Sequence, residues 1–202
     1  MAITNGYGTL ASFKLRQDIS DTGDDALIEG YIEAISRKID ELTWTRFHTT
    51  AADETRYYVA KDSEYLPIPD RIVSITTLKT DNDNDGTYEN TWTVSTDYHL
   101  WPYNAALQSK PYYAIETAYN GNYSFPKNVR KGVQIVGKFG WTTAPLEIQE
   151  ACYLGATRLM RRQDTPLGVS AAAAVGQLAV QVESLTTDPD FMALVKPFRA
   201  MV

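Results

Sequence analysis

The sequence has one cysteine, Cys152. A single thiol closes no internal disulfide, so a disulfide-stapled secreted fold is excluded and nothing points to secretion. It has two histidines, His48 and His99, both in polar surroundings. A metal or catalytic centre needs His, Cys or carboxylates to converge, and the spacing of these residues suggests no convergence. There is no phosphate-binding glycine loop and no G-x-S-x-G elbow. Cys152 falls on an apolar helical stripe, where an inert buried thiol is expected. The expectation is that the protein is not an enzyme. No apolar run approaches the roughly 20 residues needed to cross a bilayer. The first residues, MAITNGYGTL, lack the basic and apolar regions of a signal peptide. A protein folded in a cytoplasm, with no membrane partner, is expected. Basic excess is missing too: the net charge is −6. Wrapping DNA phosphates needs dense Lys and Arg, so such contact is disfavoured, although DNA can pass an acidic wall without sticking to it.

What is present is enough for a core. The chain has 202 residues, 44% hydrophobic and 22% charged, ordinary for a globular protein. Its 13 Tyr and 4 Trp suit half-buried strands and interfaces alike.

Periodicity divides the chain. Thr9 to Asp18 reads as a short helix with Thr9 as N-cap and Leu10, Phe13 and Leu15 as apolar contacts. Ile28, Ile32, Ile35, Ile39 and Leu42 form one stripe of a long helix over about 24–43. Asp24 and Asp25 suit its first turn, and Glu33 with Arg37 makes a surface pair. From Glu54 to Trp141 the period becomes two, with β-branched runs at 54–60, 70–80, 91–100, 112–119 and 131–141 separated by prolines. A third helix, about 145–162, carries Ile148, Ala151, Cys152, Gly155 and Leu159 on one stripe and Arg158, Arg161 and Arg162 near its C-terminal end. Those arginines read as helix-end electrostatics or as a patch for an acidic partner. The segment at about 164–178 is rich in small residues and reads as a flexible loop, with a short strand near Leu178 to Val182. A last helix spans about 189–198. The expected class is α+β: a helical bundle with a mostly antiparallel sheet of four to six strands inserted, taken as a single domain over 1–202. Gly6 to Gly8 is expected in a flexible N-terminal arm.

The stretch DNDNDGTYENTW admits two readings. Asp81, Asp83 and Asp85 fill the first, third and fifth places of a calcium loop, Gly86 the sixth, Thr87 the seventh and Glu89 the ninth. The twelfth place, a bidentate Glu in such loops, is Trp92. Strands flank the stretch instead of helices, and Asp85-Gly86 between alternating runs signals a hairpin turn. The other reading is therefore a solvated hairpin tip whose charges discourage edge pairing.

The order of these motifs resembles the head–tail connector (adaptor) proteins of tailed bacteriophages. YGTLASFKLRQDI and DTGDDALIEGYIEAISRKIDELTWTRF look like that family's short helix, acidic segment and long helix ending in an aromatic R-F. ETRYY looks like its first strand. VQIVGKFGWTTAPLEIQEACYLGATRLMRRQDTPLGV and DPDFMALVKPFR look like its strand, Phe-Gly-aromatic turn and last two helices. The resemblance runs from about Tyr7 to Arg199. It implies a virion protein of the neck, assembled in the host cytoplasm as a homo-oligomeric, commonly dodecameric ring. That ring sits beneath the portal protein, offers a platform to stopper or tail-completion proteins, and lets genomic DNA through without reading its sequence. It also implies that the C-terminal segment, about 188–202, docks on the portal, with Phe191, Leu194, Phe198 and Arg199 as anchors unless they pack on their own subunit. Two other classes stay open: a calcium-dependent carbohydrate- or protein-binding module, and an enzyme whose site is assembled from distant residues.

Overall fold

The structure is a computed structural model, and it describes residues 3–163 and 188–199. The chain forms two compact units. One joins residues 1–44 with 144–201, and the other spans 45–143. The expectations for a loop at 164–178 and a strand near Leu178 to Val182 lie outside the described residues.

The first unit is helical. Helix α1 (Leu10–Gln17) starts where Thr9 Oγ1 accepts from Ser12 N at 3.2 Å. Phe13 is its buried contact, while Leu15, expected to pack, is 84% exposed. Helix α2 (Asp25–Thr43) buries Ile28, Ile32, Ile35 and Ile39, and Leu42 is half-buried. Each fully buried Ile contributes about 1.5–3 kcal/mol of transfer free energy. Lys14 Nζ reaches Asp25 Oδ1 at 2.6 Å, joining the first turn of α2 to α1. Helix α3 (Leu146–Gln163) lies along α2 and buries Ile148, Ala151, Cys152 and Ala156. Gly155 is required there, because a Cβ would lie 2.8 Å from Ile35 Cγ2. Helix α4 (Pro189–Val195) packs on α3 and ends in a 3-10 turn, Lys196–Phe198.

The expected flexible arm is instead docked where it is described. Tyr7 is buried, and its N–H donates to Ser36 Oγ at 3.0 Å. Arg37 donates to Asn5 O, and Thr9 N donates to the Tyr153 hydroxyl. Backbone groups that a free arm would leave to water find partners on α2 and α3.

The second unit is one six-stranded sheet, antiparallel at every strand pair: β1 (Glu54–Tyr58), β2 (Tyr65–Thr80), β3 (Asn90–Trp92), β4 (Tyr98–Trp101), β5 (Tyr112–Thr117) and β6 (Val133–Phe139). The order is β1-β6-β2-β5-β4, with β3 also on β2. Two departures from the sequence expectation have local causes. Pro67 and Pro69, expected to break structure, lie inside β2, where the register shifts between Pro67 and Ile72. The run 91–100, expected as one strand, is two. Asp97 turns the chain between them: its carboxylate accepts from Thr93 N at 2.8 Å, and Ser95 adopts a φ of 66°. The core joins Leu66, Ile72, Leu78, Ile115, Ile135 and Phe139 to Trp92, which stacks on Phe125 at 4.7 Å.

Candidate functional site

The DNDNDG stretch connects β2 to β3, whose register pairs Thr80 with Asn90. The hairpin expected at Asp85-Gly86 is present, and its loop is nine residues long rather than two. Asp81 does not sit on a solvated tip. It is 3% exposed, and its two carboxylate oxygens accept from Asn84 N at 2.7 Å and Gly86 N at 2.9 Å. Asp83 accepts from Asp85 N at 3.3 Å, and Asp85 from Thr87 N at 2.6 Å. Gly86 holds a φ of 91°, which a side chain would strain. Each aspartate thus folds the loop back over the one before.

This winding gathers the charges. Asp81, Asp83, Asp85 and Glu89 each offer an oxygen, and these oxygens all lie within 4.8 Å of one another. Two oxygens on one calcium ion, each at about 2.4 Å, are separated by at most about twice that length, so the set is compatible with a shared ion. Trp92, in the twelfth place of the pattern, is committed elsewhere: its ring is buried and its indole N–H donates to Thr80 Oγ1 at 3.1 Å. A bidentate ligand is therefore missing for a reason of packing.

The C-terminal candidates separate. Phe191 is fully buried, so its side chain packs within the helical unit and is not free as an anchor. Leu194 and Phe198 are half-buried. Arg199 is exposed, and its Nε donates to Leu42 O at 3.0 Å. Of the three arginines on α3, Arg158 has a structural task. It pairs with Asp188, whose other oxygen caps α4 by accepting from Asp190 N and Phe191 N. Arg161 and Arg162 are exposed.

Cys152 is buried, and burial pushes its thiol up to about 11. That value suits an inert side chain. His48 and His99 are half-buried, and neither joins a metal-ligating group among the described residues.

Sequence reasoning missed a groove at the β4 edge of the sheet. Val94, Ser95, His99, Leu100, Tyr103 and Tyr112 line an open volume of about 550 Å³. The signal was available in part, since aromatic and β-branched residues cluster at 94–103, but the turn at Asp97 that brings Val94 against β4 was not read.

No protein-family profile matches the sequence, and no curated protein does. Solved structures do match in fold. A chain from the neck of a native gene transfer agent particle, computed with C12 symmetry, is 18% identical at a TM-score of 0.57, covering 100% of this chain and 93% of that chain. A chain from the neck of an empty particle, computed with C6 symmetry, is 16% identical at a TM-score of 0.55, covering 100% of this chain and 94% of that one. A chain from the virion of a native gene transfer agent particle is 17% identical at 0.51, with the same coverage. At these identities the shared property is the fold alone.

Proposed function

We propose that this protein is a structural subunit of the neck of a tailed phage or phage-like particle: a head–tail connector. The observation that carries the reading is the likeness to neck chains over 100% of this chain, helices and inserted sheet together. The order of the sequence motifs supports it independently. In this reading identical copies close into a ring through heterologous contacts, in keeping with the symmetry imposed on those necks. The ring meets the portal on one side and a stopper or tail-completion protein on the other, and performs no catalysis. The inert Cys152 thiol and the net charge of −6 agree with a passive channel wall that does not grip DNA. Half-buried Leu194 and Phe198 and exposed Arg199 remain as portal contacts, without Phe191. Purified protein is expected to assemble rings visible by mass photometry, or to co-sediment with portal rings, and to occupy the neck in electron cryo-microscopy of virions. Absence from virions together with no portal binding at micromolar concentration refutes the reading.

We also propose that the loop 81–89 takes one calcium ion weakly, through Asp81, Asp83, Asp85 and Glu89, and that the ion stiffens the loop without doing chemistry. The convergence of the four carboxylates supports this. With no bidentate twelfth ligand the affinity falls in the millimolar class. Calorimetric titration should show heat for the wild type and none for Asp83→Ala; a silent wild type at millimolar calcium ends the idea.

A further inference from the structure

Arg71 is a half-buried cation of the sheet unit that lacks a counter-charge. It lies in β2, inside the register shift between Pro67 and Ile72, and its φ of 60° is a left-handed value that costs an arginine free energy. The backbone is held there, since Gly140 N donates to Arg71 O at 3.1 Å. The guanidinium lies 5.4 Å from the ring centroid of Tyr113, which is 37% exposed. Among the described residues that guanidinium makes no ion pair and no hydrogen bond. Burial draws its pKa down, and the nearby Tyr113 only opposes the shift.

Arg56 on β1 shows what is missing. It too lies over a ring, that of Phe139, but it holds Glu54 at 2.8 Å and Asp70 at 3.1 Å. Asp70, next to Arg71 in sequence, is thereby committed to Arg56, and it also accepts from the Tyr58 hydroxyl at 2.8 Å. A half-buried guanidinium has given up part of its water, and without an acceptor it recovers none of that cost. Its planar fork of donors matches a carboxylate.

Charge identifies the source of that carboxylate. The net charge is −6, so a second copy of the chain offers carboxylates in excess. Asp18, Asp21 and Asp24 are exposed and make no ion pair among the described residues. They stand together on the turn from α1 to α2, which is fixed from within. Asp18 ends α1 at a φ of 54°, Asp21 Oδ1 accepts from Gly23 N at 3.1 Å, and Lys14 Nζ donates to Asp21 O and Asp25 Oδ1. Carboxylates on a fixed turn lose little freedom on docking.

We propose that Arg71, backed by Tyr113, receives a carboxylate from the α1–α2 turn of a neighbouring copy. The inference rests on the ring reading above and supplies one of its contacts. Turn and receptor are different surfaces, so the contact is head-to-tail, as ring closure requires.

Full-length Arg71→Gly and Arg71→Gln separate recognition from structure. Neither should lower the Tm of the unassembled subunit, because both remove an uncompensated charge and the glycine also relieves the left-handed backbone. Both should raise the protein concentration needed for ring assembly, read by mass photometry, about tenfold, as for the loss of one partly desolvated ion pair. Arg71→Glu alone and Asp21→Lys/Asp24→Lys alone should assemble worse still. An equal mixture of those two should recover, since alternating copies then pair opposite charges at every contact. Arg71→Gly rings at the wild-type concentration overturn the proposal and leave the ring reading standing. A Tm several degrees lower in both the glycine and glutamine variants makes Arg71 a structural residue and also overturns it. Impaired charge reversals with no recovery in the mixture overturn the pairing of these two surfaces. A wild type that forms no ring, alone or on portal, overturns the ring reading and this contact with it.

Discussion

Two aspartates of the sheet unit, Asp81 and Asp97, look alike and behave differently. Both are 3% exposed and both turn the chain beside a strand by accepting backbone N–H groups. Asp97 spends its carboxylate completely. One oxygen takes Thr93 N, and the other takes both the backbone and side-chain N–H of Asn122. Burial works against its charge, yet the bonds from Thr93 and Asn122 outweigh burial and hold its carboxyl below the usual value. Asp81 has two backbone partners and three further carboxylates within 4.8 Å. A buried carboxylate that holds a turn is structural by itself. What makes one a cation ligand is the company of charges that repel unless an ion sits among them.

That contrast breaks most readily on stability. Asp97→Ala strands three donors, and the expected loss is about 3 kcal/mol, read by urea denaturation. Asp81→Ala strands two donors but also relieves repulsion, so its expected loss is smaller, about 2 kcal/mol in calcium-free buffer. Equal losses would dissolve the distinction. Acid sharpens it further. The depressed carboxyl of Asp97 contributes stability that is present above the unfolded value, near about 4, and is lost as pH falls through the lower folded value. The stability gap between wild type and Asp97→Asn should therefore hold steady from neutral pH to about pH 5 and close below about pH 4.

Calcium separates the two loops next. At ten times its dissociation constant a ligand that binds only the folded state stabilises by about 1.4 kcal/mol. For a chain of this size that is a rise in Tm of about 3–5 °C. The rise is expected for the wild type and for Asn122→Ala, which removes the side-chain N–H that donates to Asp97, and not for Asp83→Ala. A rise that survives Asp83→Ala places the ion elsewhere.

The sequence was informative where periodicity and capping act locally. Ile28 to Ile39 specified α2 because one stripe at helical spacing has one solution, and Thr9 marked the start of α1. The acidic loop was legible as a set of ligand types in order. Its convergence depends on four backbone bonds to three aspartates, which no spacing rule states. Long-range choices were hidden for the same reason. Asp97 reads as one acid among others until Asn122, 25 positions on, arrives at its carboxylate. Arg158 reads as helix-end charge until Asp188 returns beside it. Prolines 67 and 69 read as breaks, because a register shift in β2 is a property of its partner strands. Tyr7 read as part of an arm because its partner, Ser36, lies 29 residues away on α2.

The smallest expected effect supplies the control for all of these. Glu150 is also an acceptor in a close bond, meeting Arg16 through both of its oxygens, and that bond draws its carboxyl below the usual value. Its side chain is 44% exposed and that of Arg16 is 43%. Water and salt screen such a pair, so a lowered carboxyl there translates into little stability. Glu150→Gln should change the unfolding free energy by under about 0.5 kcal/mol, and that difference should fade by 1 M salt, where the screening length falls to about 3 Å. Asp97→Ala should keep most of its cost at the same salt, because its partners are backbone and amide dipoles and not an opposite charge, and Asp97 itself is buried. A salt-sensitive Asp97 or a costly Glu150 would mean that burial is not what divides these carboxylates.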